Sequence, residues 1–322
     1  MNIDQIIEII VVPILRFPIV LVAFTKFARW FDVLVFVYTV LVNALWWLNR
    51  RYKTRGRWQH LDLMGHATCV VTGGSKGLGS AVVNELLTRF ANVQVIVVDI
   101  APPKIINSRL TYYPCDLSNE SSVNRTLDYI KKNHSKIDVL INNAGIRSKF
   151  QNYSDLHKDD VNRVFQVNVF TPMRFIQELS PRDDNNQQFY TVNVASTLGT
   201  CAPARASCYG ASKAATIAFH EAWTQEIGPY NNFRTLLVMP GQLDTSMFSG
   251  FSPPKQFLAP LVDPKALAQR IVECCRTGQR GELCAPMYAN FMGLVRVLPY
   301  AINQAARKFS GMDSCLPVEK TH

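Results

Sequence analysis

The chain has 322 residues, a mass of 36.3 kDa, a net charge of +10 and 48% hydrophobic residues. This length suffices for one large α/β domain or two smaller ones, and the composition excludes a disordered protein. Apart from the adjacent pair Cys274-Cys275, the eight cysteines are scattered without C-x-x-C or Cys/His ligand spacing, so they suggest neither a zinc site nor a disulfide framework. No metal is expected, and reduced thiols fit best.

The first 58 residues differ from the rest and predict a membrane anchor. Residues 33–48 read VLVFVYTVLVNALWWL without a charge, and residues 30–31 extend this apolar run beyond Asp32. Because a bilayer span needs roughly 17 to 25 apolar residues, we expect a span or a deep interfacial helix. Residues 6–24 are also apolar but carry two charges and two prolines: Glu8, Arg16, Pro13 and Pro18. These favour a kinked or interfacial segment, so the anchor is one span or a hairpin of segments 6–25 and 30–48.

A basic cluster follows the anchor and consists of Arg50, Arg51, Lys53, Arg55 and Arg57. It could bind nucleic acid, but the preceding apolar run makes a membrane edge the better explanation, and no nucleic-acid partner is expected. The positive-inside rule then places the rest of the chain on the cytosolic side of the membrane. Two alternatives remain open. The N-terminal segments could form a buried helix pair of a soluble protein, or the domain could be lumenal, where the N-x-S/T sequons at Asn119, Asn124, Asn133 and Asn152 would matter.

After residue 60, short β-rich runs alternate with helical stretches. The predicted strands are 67–72, 93–99, 110–115, 137–142, 188–194, 233–238 and 282–285. Alternation of this kind predicts an α/β fold, a Rossmann-type doubly wound parallel sheet of about seven strands. The catalytic body is expected over 60–312, with a tail at 313–322. The late apolar and basic stretch 287–309 is expected either to close over a substrate pocket or to touch the bilayer.

The first strand leads directly into a glycine-rich turn and then a helix. Its glycines permit a tight turn and close backbone approach to a pyrophosphate, while the helix N-terminus offers unpaired N–H groups to the anion. The turn therefore predicts a nucleotide loop, with contacts from Thr72, Gly73, Ser75, Lys76, Gly77, Leu78 and Gly79. Asp99 ends the second strand, where a carboxylate can accept hydrogen bonds from ribose hydroxyls and repel a 2′-phosphate. Asp99 thus favours NAD over NADP.

A tyrosine and a lysine stand four residues apart in C-Y-G-A-S-K, on one face of a predicted helix, as Tyr209 and Lys213. This pair alone is a weak signal. Two further polar residues stand at positions that suggest a specific role, one within an apolar segment and one directly after a strand. Asn168 lies among Val and Phe residues in V-F-Q-V-N-V-F, where it could also be a structural amide, and Ser196 follows the fifth strand in V-N-V-A-S.

Together these motifs resemble the short-chain dehydrogenase/reductase family over about 250 of the 322 residues. The glycine loop matches T-G-x-x-x-G-x-G, residues 142–145 match N-N-A-G, and the catalytic tetrad matches in order and spacing: Asn168, Ser196, Tyr209 and Lys213. The resemblance implies that Tyr209 is the general acid/base, Ser196 holds the substrate oxygen and Asn168 holds a relay water. An ammonium at about 4 Å supplies around 4 kcal/mol at an effective dielectric of 20, so Lys213 is nearly sufficient to lower the tyrosine pKa by about 2 to 3 units, and the positive ring of the oxidised cofactor helps.

The resemblance also implies further cofactor contacts, from Asp116, Asn143, Ala144, Gly145, Tyr209, Lys213, Pro240, Gly241 and Thr245. Asp116 would contact the adenine amino group, although an acid at the start of a helix explains it nearly as well. Lys76 favours NADP, since a basic residue in this loop accompanies NADP use in parts of the family. We give Asp99 more weight, because a phosphate held against a carboxylate leaves a repulsion that one flexible lysine need not cancel.

The anchor and the C-terminal stretch make the chain resemble the membrane-anchored subgroup of retinol dehydrogenases and 17β-hydroxysteroid dehydrogenases. This implies an NAD(P)-dependent oxidoreductase that transfers a hydride between the cofactor and a lipophilic alcohol or ketone, such as a retinoid, sterol, long-chain or sphingoid lipid. It also implies a homodimer formed through the helices that carry Asn168 and Tyr209. The alternatives are an NADPH-dependent lipid ketoreductase and a non-catalytic, membrane-tethered cofactor-binding protein.

Overall fold

A computed structural model describes residues 2–17, 29–181, 187–228, 230, 232–248, 250–251 and 253–319. The segment 18–25 of the predicted hairpin, with Pro18, therefore lies outside the described residues.

Seven parallel strands form one sheet in the order β3-β2-β1-β4-β5-β6-β7. The strands are β1 (Ala67–Thr72), β2 (Val93–Asp99), β3 (Leu110–Pro114), β4 (Val139–Asn142), β5 (Phe189–Val194), β6 (Phe233–Pro240) and β7 (Gly281–Ala285). The strand order reverses between β1 and β4, which creates a crevice at the carboxyl ends of the strands. The predicted Rossmann-type α/β fold is confirmed.

Helices cover both faces of this sheet. The α-helices are α1 (Ile3–Ile6), α2 (Val12–Arg16), α3 (Arg29–Lys53), α4 (Gly77–Arg89), α5 (Glu120–Asn133), α6 (Lys158–Phe165), α7 (Thr171–Leu179), α8 (Ser207–Glu226), α9 (Pro264–Thr277), α10 (Met292–Val297) and α11 (Tyr300–Ser310). Successive strand residues point to opposite faces, so Val71 joins the core beneath α4 and α9 while Val70 joins the core beneath α5 and α7. Burial on both faces explains why the strands have continuous apolar sequences.

The N-terminal helix α3 is exposed along its apolar length. Its segment Val33–Lys53 has 21 residues, is long and apolar enough to cross a membrane, and is 0% buried. Leu34 and Phe36 are 66% and 64% exposed, which does not fit the alternative of a buried helix pair. Asn43, a polar residue in this run, donates to the Arg16 carbonyl (2.9 Å) and accepts from the Arg16 guanidinium (3.2 Å). The two N-terminal segments therefore contact each other through a polar pair.

A buried arginine fixes the linker between α3 and the body. Arg234 on β6 is 1% exposed, and its guanidinium lies 4.6 Å from the centre of the Trp58 ring. It donates hydrogen bonds to four backbone carbonyls, those of Gly278 (2.8 Å), Arg55 (2.9 Å), Gly56 (3.2 Å) and Arg57 (3.4 Å). Burial lowers the pKa of Arg234 to about 10. The linker is therefore attached to the body rather than free.

Replacing Arg234 by Met is expected to lower the free energy of unfolding by about 2 to 4 kcal/mol, because buried carbonyls lose charged donors. Denaturant unfolding of the detergent-solubilised full chain measures this loss. Arg174→Met is the matched control, since the Arg174 side chain is 43% exposed in its ion pair, and surface pairs contribute at most about 1 kcal/mol. Equal stability of the two variants would contradict the proposed attachment.

Candidate active site

A cleft of about 590 Å³ lies at the carboxyl ends of the strands. Most of the residues predicted to bind cofactor line it: Gly73, Lys76, Gly77, Leu78, Asp99, Asp116, Asn143, Ala144, Gly145, Tyr209, Lys213, Pro240, Gly241 and Thr245. Ser196 lines the same cleft. Parallel strands bring these residues together because their carboxyl ends meet at one edge of the sheet.

Three predicted cofactor contacts, Thr72, Ser75 and Gly79, do not line the cleft but shape its glycine loop. The Thr72 hydroxyl accepts the backbone N–H groups of Asn143 (3.2 Å) and Ala144 (3.1 Å). The Asn143 amide in turn donates to the carbonyls of Thr72 (3.1 Å) and Gly73 (3.0 Å). These bonds join the loop after β1 to the end of β4. A Cβ on Gly79 would collide with the Gly73 carbonyl oxygen, so this glycine permits close packing of α4.

The glycine loop fits the phosphates of a dinucleotide. Gly73 and Gly77 have φ values of +65° and +54°, in the left-handed region that favours glycine. No side chain caps the N-terminus of α4, where Lys76 is the N-cap residue. The first N–H groups of the helix therefore remain available to an anion in the cleft.

Asp99 and Lys76, the two residues that bear on cofactor choice, both face the cleft. The Asp99 carboxylate accepts one backbone N–H on each oxygen, from Ser75 (3.0 Å) and Ala101 (3.3 Å). Ser75 thus acts by orienting Asp99. Each carboxylate oxygen has a further lone pair, so Asp99 can still accept ribose hydroxyls. Lys76 is exposed.

Asp116 has a structural role in addition to its place in the cleft. One carboxylate oxygen accepts the N–H of Ser118 (2.9 Å) and its hydroxyl (2.7 Å), and these bonds lower the pKa of Asp116. The N-cap of α5 is Asn119 rather than Asp116. Asp116 therefore orders the turn before α5 without being its N-cap, and its contact with adenine stays a prediction.

The four tetrad residues converge from three elements. Ser196 follows β5, Tyr209 and Lys213 lie on α8, and Asn168 lies in a π-helical turn, Gln166–Phe170. A hydrogen bond joins Ser196 to Tyr209. The Lys213 ammonium is 5.9 Å from the centre of the Tyr209 ring. A Cβ on Gly145 would be 3.3 Å from Lys213 Nζ and 3.5 Å from Asn168 Oδ1, so this glycine provides the space where both side chains meet.

The expected lowering of the Tyr209 pKa by Lys213 is not seen. Burial raises the pKa of Tyr209 to about 12, and the hydrogen bond from Ser196 only partly opposes this effect. Burial also lowers the pKa of Lys213 to about 8, and its ammonium donates to the Val194 carbonyl (2.8 Å). The expectation assumed a solvated tyrosine close to a full charge, whereas desolvation dominates for both buried groups.

Asn168 serves as a structural amide and does not line the cleft. Its oxygen accepts the Ile146 N–H (2.9 Å), and its nitrogen donates to the Ile146 carbonyl (2.9 Å) and the Ser212 hydroxyl (2.9 Å). It is 1% exposed. Asn168 therefore ties the loop after β4 to α8, and its predicted relay water stays a prediction.

Sequence reasoning missed an apolar pocket of about 360 Å³ that meets the cleft at Ser196, Gly241 and Phe248. The Phe248 ring also contacts the Tyr209 ring, with centres 5.7 Å apart. The walls come mainly from the loop after β6, including Phe251 and Leu258, and from the late stretch, including Met292 and Val295, and Leu316 of the tail also lines the pocket. The late stretch 287–309 thus closes over the pocket, which was one of its two expected positions.

The C-terminal residues also pack on the body. Leu316 is 4% exposed, and the Glu319 N–H donates to the Phe150 carbonyl (2.9 Å). The Glu319 carboxylate pairs with Arg147 (2.9 Å), which donates to the Met247 carbonyl (2.8 Å) in the loop beside the cleft. Residues 313–319 therefore brace the cleft, a role that no local pattern indicated.

Within the described ranges, no group of three or more His, Cys, Asp or Glu side chains could hold a metal ion. The eight cysteines are all unpaired.

A dinucleotide cleft that adjoins a Ser, Tyr and Lys cluster defines a nicotinamide-dependent oxidoreductase. The family model for short chain dehydrogenases matches residues 67–256, and the chain belongs to this family. An uncharacterized oxidoreductase of Saccharomyces cerevisiae, TDA5, is 41% identical over 99% of this chain and 100% of its own length. Retinol dehydrogenase 10-B of Danio rerio is 26% identical over 86% of this chain and 89% of its own length.

Solved structures share the fold. A 3-ketoacyl-(acyl-carrier-protein) reductase from Brucella melitensis complexed with NADH has a TM-score of 0.61 and 23% identity, covering 68% of this chain and 96% of that one. A short chain dehydrogenase from Burkholderia cenocepacia in complex with NADP has a TM-score of 0.62 and 24% identity, covering 76% of this chain and 97% of that one. The chain is thus an NAD(P)-dependent alcohol dehydrogenase or reductase of Rossmann fold.

Proposed function

We propose that this enzyme transfers a hydride between NAD and a lipophilic alcohol or ketone. The observation that carries this proposal is the apolar pocket of about 360 Å³, which opens directly beside Ser196 and the Tyr209 ring. Such a pocket favours a ligand that buries apolar surface and presents one oxygen to the polar cluster. Retinoids, sterols, long-chain and sphingoid lipids share this chemistry.

The residues around the substrate oxygen have complementary roles. Bound nicotinamide supplies the hydride acceptor for oxidation and the hydride donor for reduction. During oxidation, Tyr209 accepts the hydroxyl proton while the C–H electron pair leaves as hydride, so the carbinol becomes a carbonyl. Ser196 donates a hydrogen bond to the substrate oxygen. With the cofactor bound, the positive charges of Lys213 and of an oxidised nicotinamide would together favour the ionised tyrosine, against the burial that raises the Tyr209 pKa.

The preference for NAD is tested by replacing Asp99 with Asn. The change removes the repulsion of a 2′-phosphate but keeps an acceptor for the ribose, so the ratio of NADPH to NADH affinity should rise about 10- to 100-fold. Fluorescence titration of both reduced cofactors measures it. Asp128→Asn is the control, because Asp128 is 77% exposed on α5 and does not line the cleft. Tighter binding of NADPH than NADH by the unmodified enzyme would instead support the alternative, an NADPH-dependent ketoreductase in which Lys76 holds the phosphate.

The proposed membrane anchor comprises residues 1–58, with the catalytic body from 60 onward. It is supported by the exposed apolar surface of α3 and by the similarity to a retinol dehydrogenase over most of both chains. The proposed location is the endoplasmic reticulum or a lipid droplet, with the body in the cytosol. Membership in the membrane-anchored subgroup and homodimerisation through α6 to α8 belong to the same proposal.

Turnover of a panel of hydrophobic alcohols with NAD tests the function as a whole. The purified chain should produce reduced cofactor with at least one lipid alcohol, measured by absorbance, and the corresponding ketone should be reduced with NADH. Cofactor binding without turnover of any lipid would instead support a non-catalytic binding protein.

A further inference from the structure

We infer that the outer wall of the apolar pocket is itself a docking surface for an anionic lipid bilayer, through which substrate reaches Ser196 directly from the membrane. This inference rests on the lipophilic substrate of the proposed function. We call this wall the pocket lid and define it as residues 253–262 together with 287–310.

The lid is apolar on its outer side as well as its inner side. Met292, Val295 and Ala306 line the pocket. Other large apolar residues of the lid are exposed, namely Phe257 (52%), Phe291 (52%), Leu294 (59%), Val297 (77%) and Tyr300 (80%), and Phe309 (68%) is exposed although it also lines the pocket. The apolar outer side is unfavourable in contact with water, and a bilayer that covers it would remove this free-energy cost. The inner side already faces the apolar pocket.

The charges of this surface have one sign. The sequence contains no Asp or Glu between residues 245 and 262 or between 287 and 312. Its cations include Lys255, Arg296 and Lys308, all exposed, and no acidic side chain in the described part of the chain forms an ion pair with them. Arg307 is different, because Asp313 neutralises it. The Lys255 ammonium lies 5.2 Å from the centre of the Phe309 ring, so this cation is next to the exposed apolar surface. Anionic headgroups attract exposed apolar residues that stand among cations without acidic partners.

The lid is continuous with the proposed anchor. The Ile3 N–H donates to the Phe257 carbonyl (3.1 Å), and the Asp4 carboxylate accepts the Met287 N–H (2.7 Å). Helix α1 is thus bonded to both parts of the lid, and Ile9, which follows this helix, is 66% exposed. These contacts place the N-terminus on the same side of a bilayer as the catalytic body. They favour the hairpin form of the anchor over a single span.

Site-directed fluorescence on the full chain in vesicles tests the lid without requiring turnover. An environment-sensitive maleimide dye is attached to Val297→Cys, and separately to Ile106→Cys, a fully exposed apolar position outside the lid (100%). The vesicles contain phosphatidylcholine and phosphatidylserine, with a fraction of the lipids carrying a nitroxide quencher. Labelled wild type gives the background, since seven of its eight cysteines are buried.

Quenching at position 297 is expected to be at least about threefold stronger than at position 106, and to fall severalfold when phosphatidylserine is omitted. The same fall is expected on replacing Arg296 and Lys308 together by Gln. Equal quenching at both positions would overturn the inference, as would protection of position 297 by a second copy of the chain, detected as concentration-dependent energy transfer. Because this readout needs no catalysis, failure of lid docking is distinguishable from failure of the proposed reaction.

Discussion

Replacing Tyr209 by Phe is expected to lower the turnover number about 10³-fold while leaving cofactor affinity within about twofold, because general acid/base groups contribute factors of this size. The substitution removes only the hydroxyl, so the ring can keep its contact with Phe248, whose centre lies 5.7 Å away. Steady-state kinetics with the best alcohol of the panel and a titration with NADH measure the two effects.

The pH dependence separates loss of a proton acceptor from loss of structure. Burial raises the pKa of Tyr209 to about 12, so below that value the ionised fraction grows with pH and alcohol oxidation should accelerate as pH rises. The residual rate of Tyr209→Phe should lack this rise. Tyr190→Phe is a matched control, since Tyr190 is 0% exposed and its hydroxyl donates to the Gln279 carbonyl far from the cleft. A pH profile unchanged by Tyr209→Phe would remove Tyr209 from the proposed role.

Replacing Gly79 by Ala is expected to weaken NADH binding at least about 100-fold and to lower the free energy of unfolding by about 1 to 3 kcal/mol. The added Cβ would collide with the Gly73 carbonyl oxygen and the Asn143 amide, so the loop that faces the cleft must move. NADH titration and thermal unfolding of the same preparation test this.

Gly65→Ala is the control for this substitution, because no atom of the described residues would lie within 4 Å of the added Cβ. It should leave both quantities close to those of the unmodified chain. NADH binding by Gly79→Ala at wild-type strength would show that the cofactor does not depend on the loop geometry described above.

The sheet was predictable because a parallel strand buried on both faces has a distinctive sequence. Val93–Asp99 reads VQVIVVD, and its bounds match the predicted ones. The predicted strand bounds were less accurate where tertiary contacts determine the residue at which a strand begins or ends. β4 begins at Val139 rather than 137, since the buried Asp138 carboxylate accepts the Thr68 N–H (2.9 Å). β6 continues to Pro240 rather than 238, because Met239 and Pro240 pair with β7.

The same distinction between local sequence patterns and tertiary contacts applies to the candidate site. The glycine loop and the Tyr–Lys pair are local in sequence, so their spacing indicated them. The bracing roles of Thr72 and Asn168 depend on partners tens of residues away, and Glu319 meets Arg147 across 172 residues. The pKa of Tyr209 also depends on packing, since burial rather than the nearby ammonium dominates it.

The clamp of Arg234 on the carbonyls of Arg55 and Gly56 has a dynamic consequence. Because the linker is held at its backbone, α3 and the catalytic body are rigidly connected. If α3 lies in a bilayer, the body would reorient together with this helix rather than independently of it. The tilt of one helix would then set the angle at which the pocket mouth meets the lipid headgroups. The proposed anchor would thus fix the orientation of the pocket relative to the membrane, and the catalytic body would not need to rotate before a lipid substrate can enter.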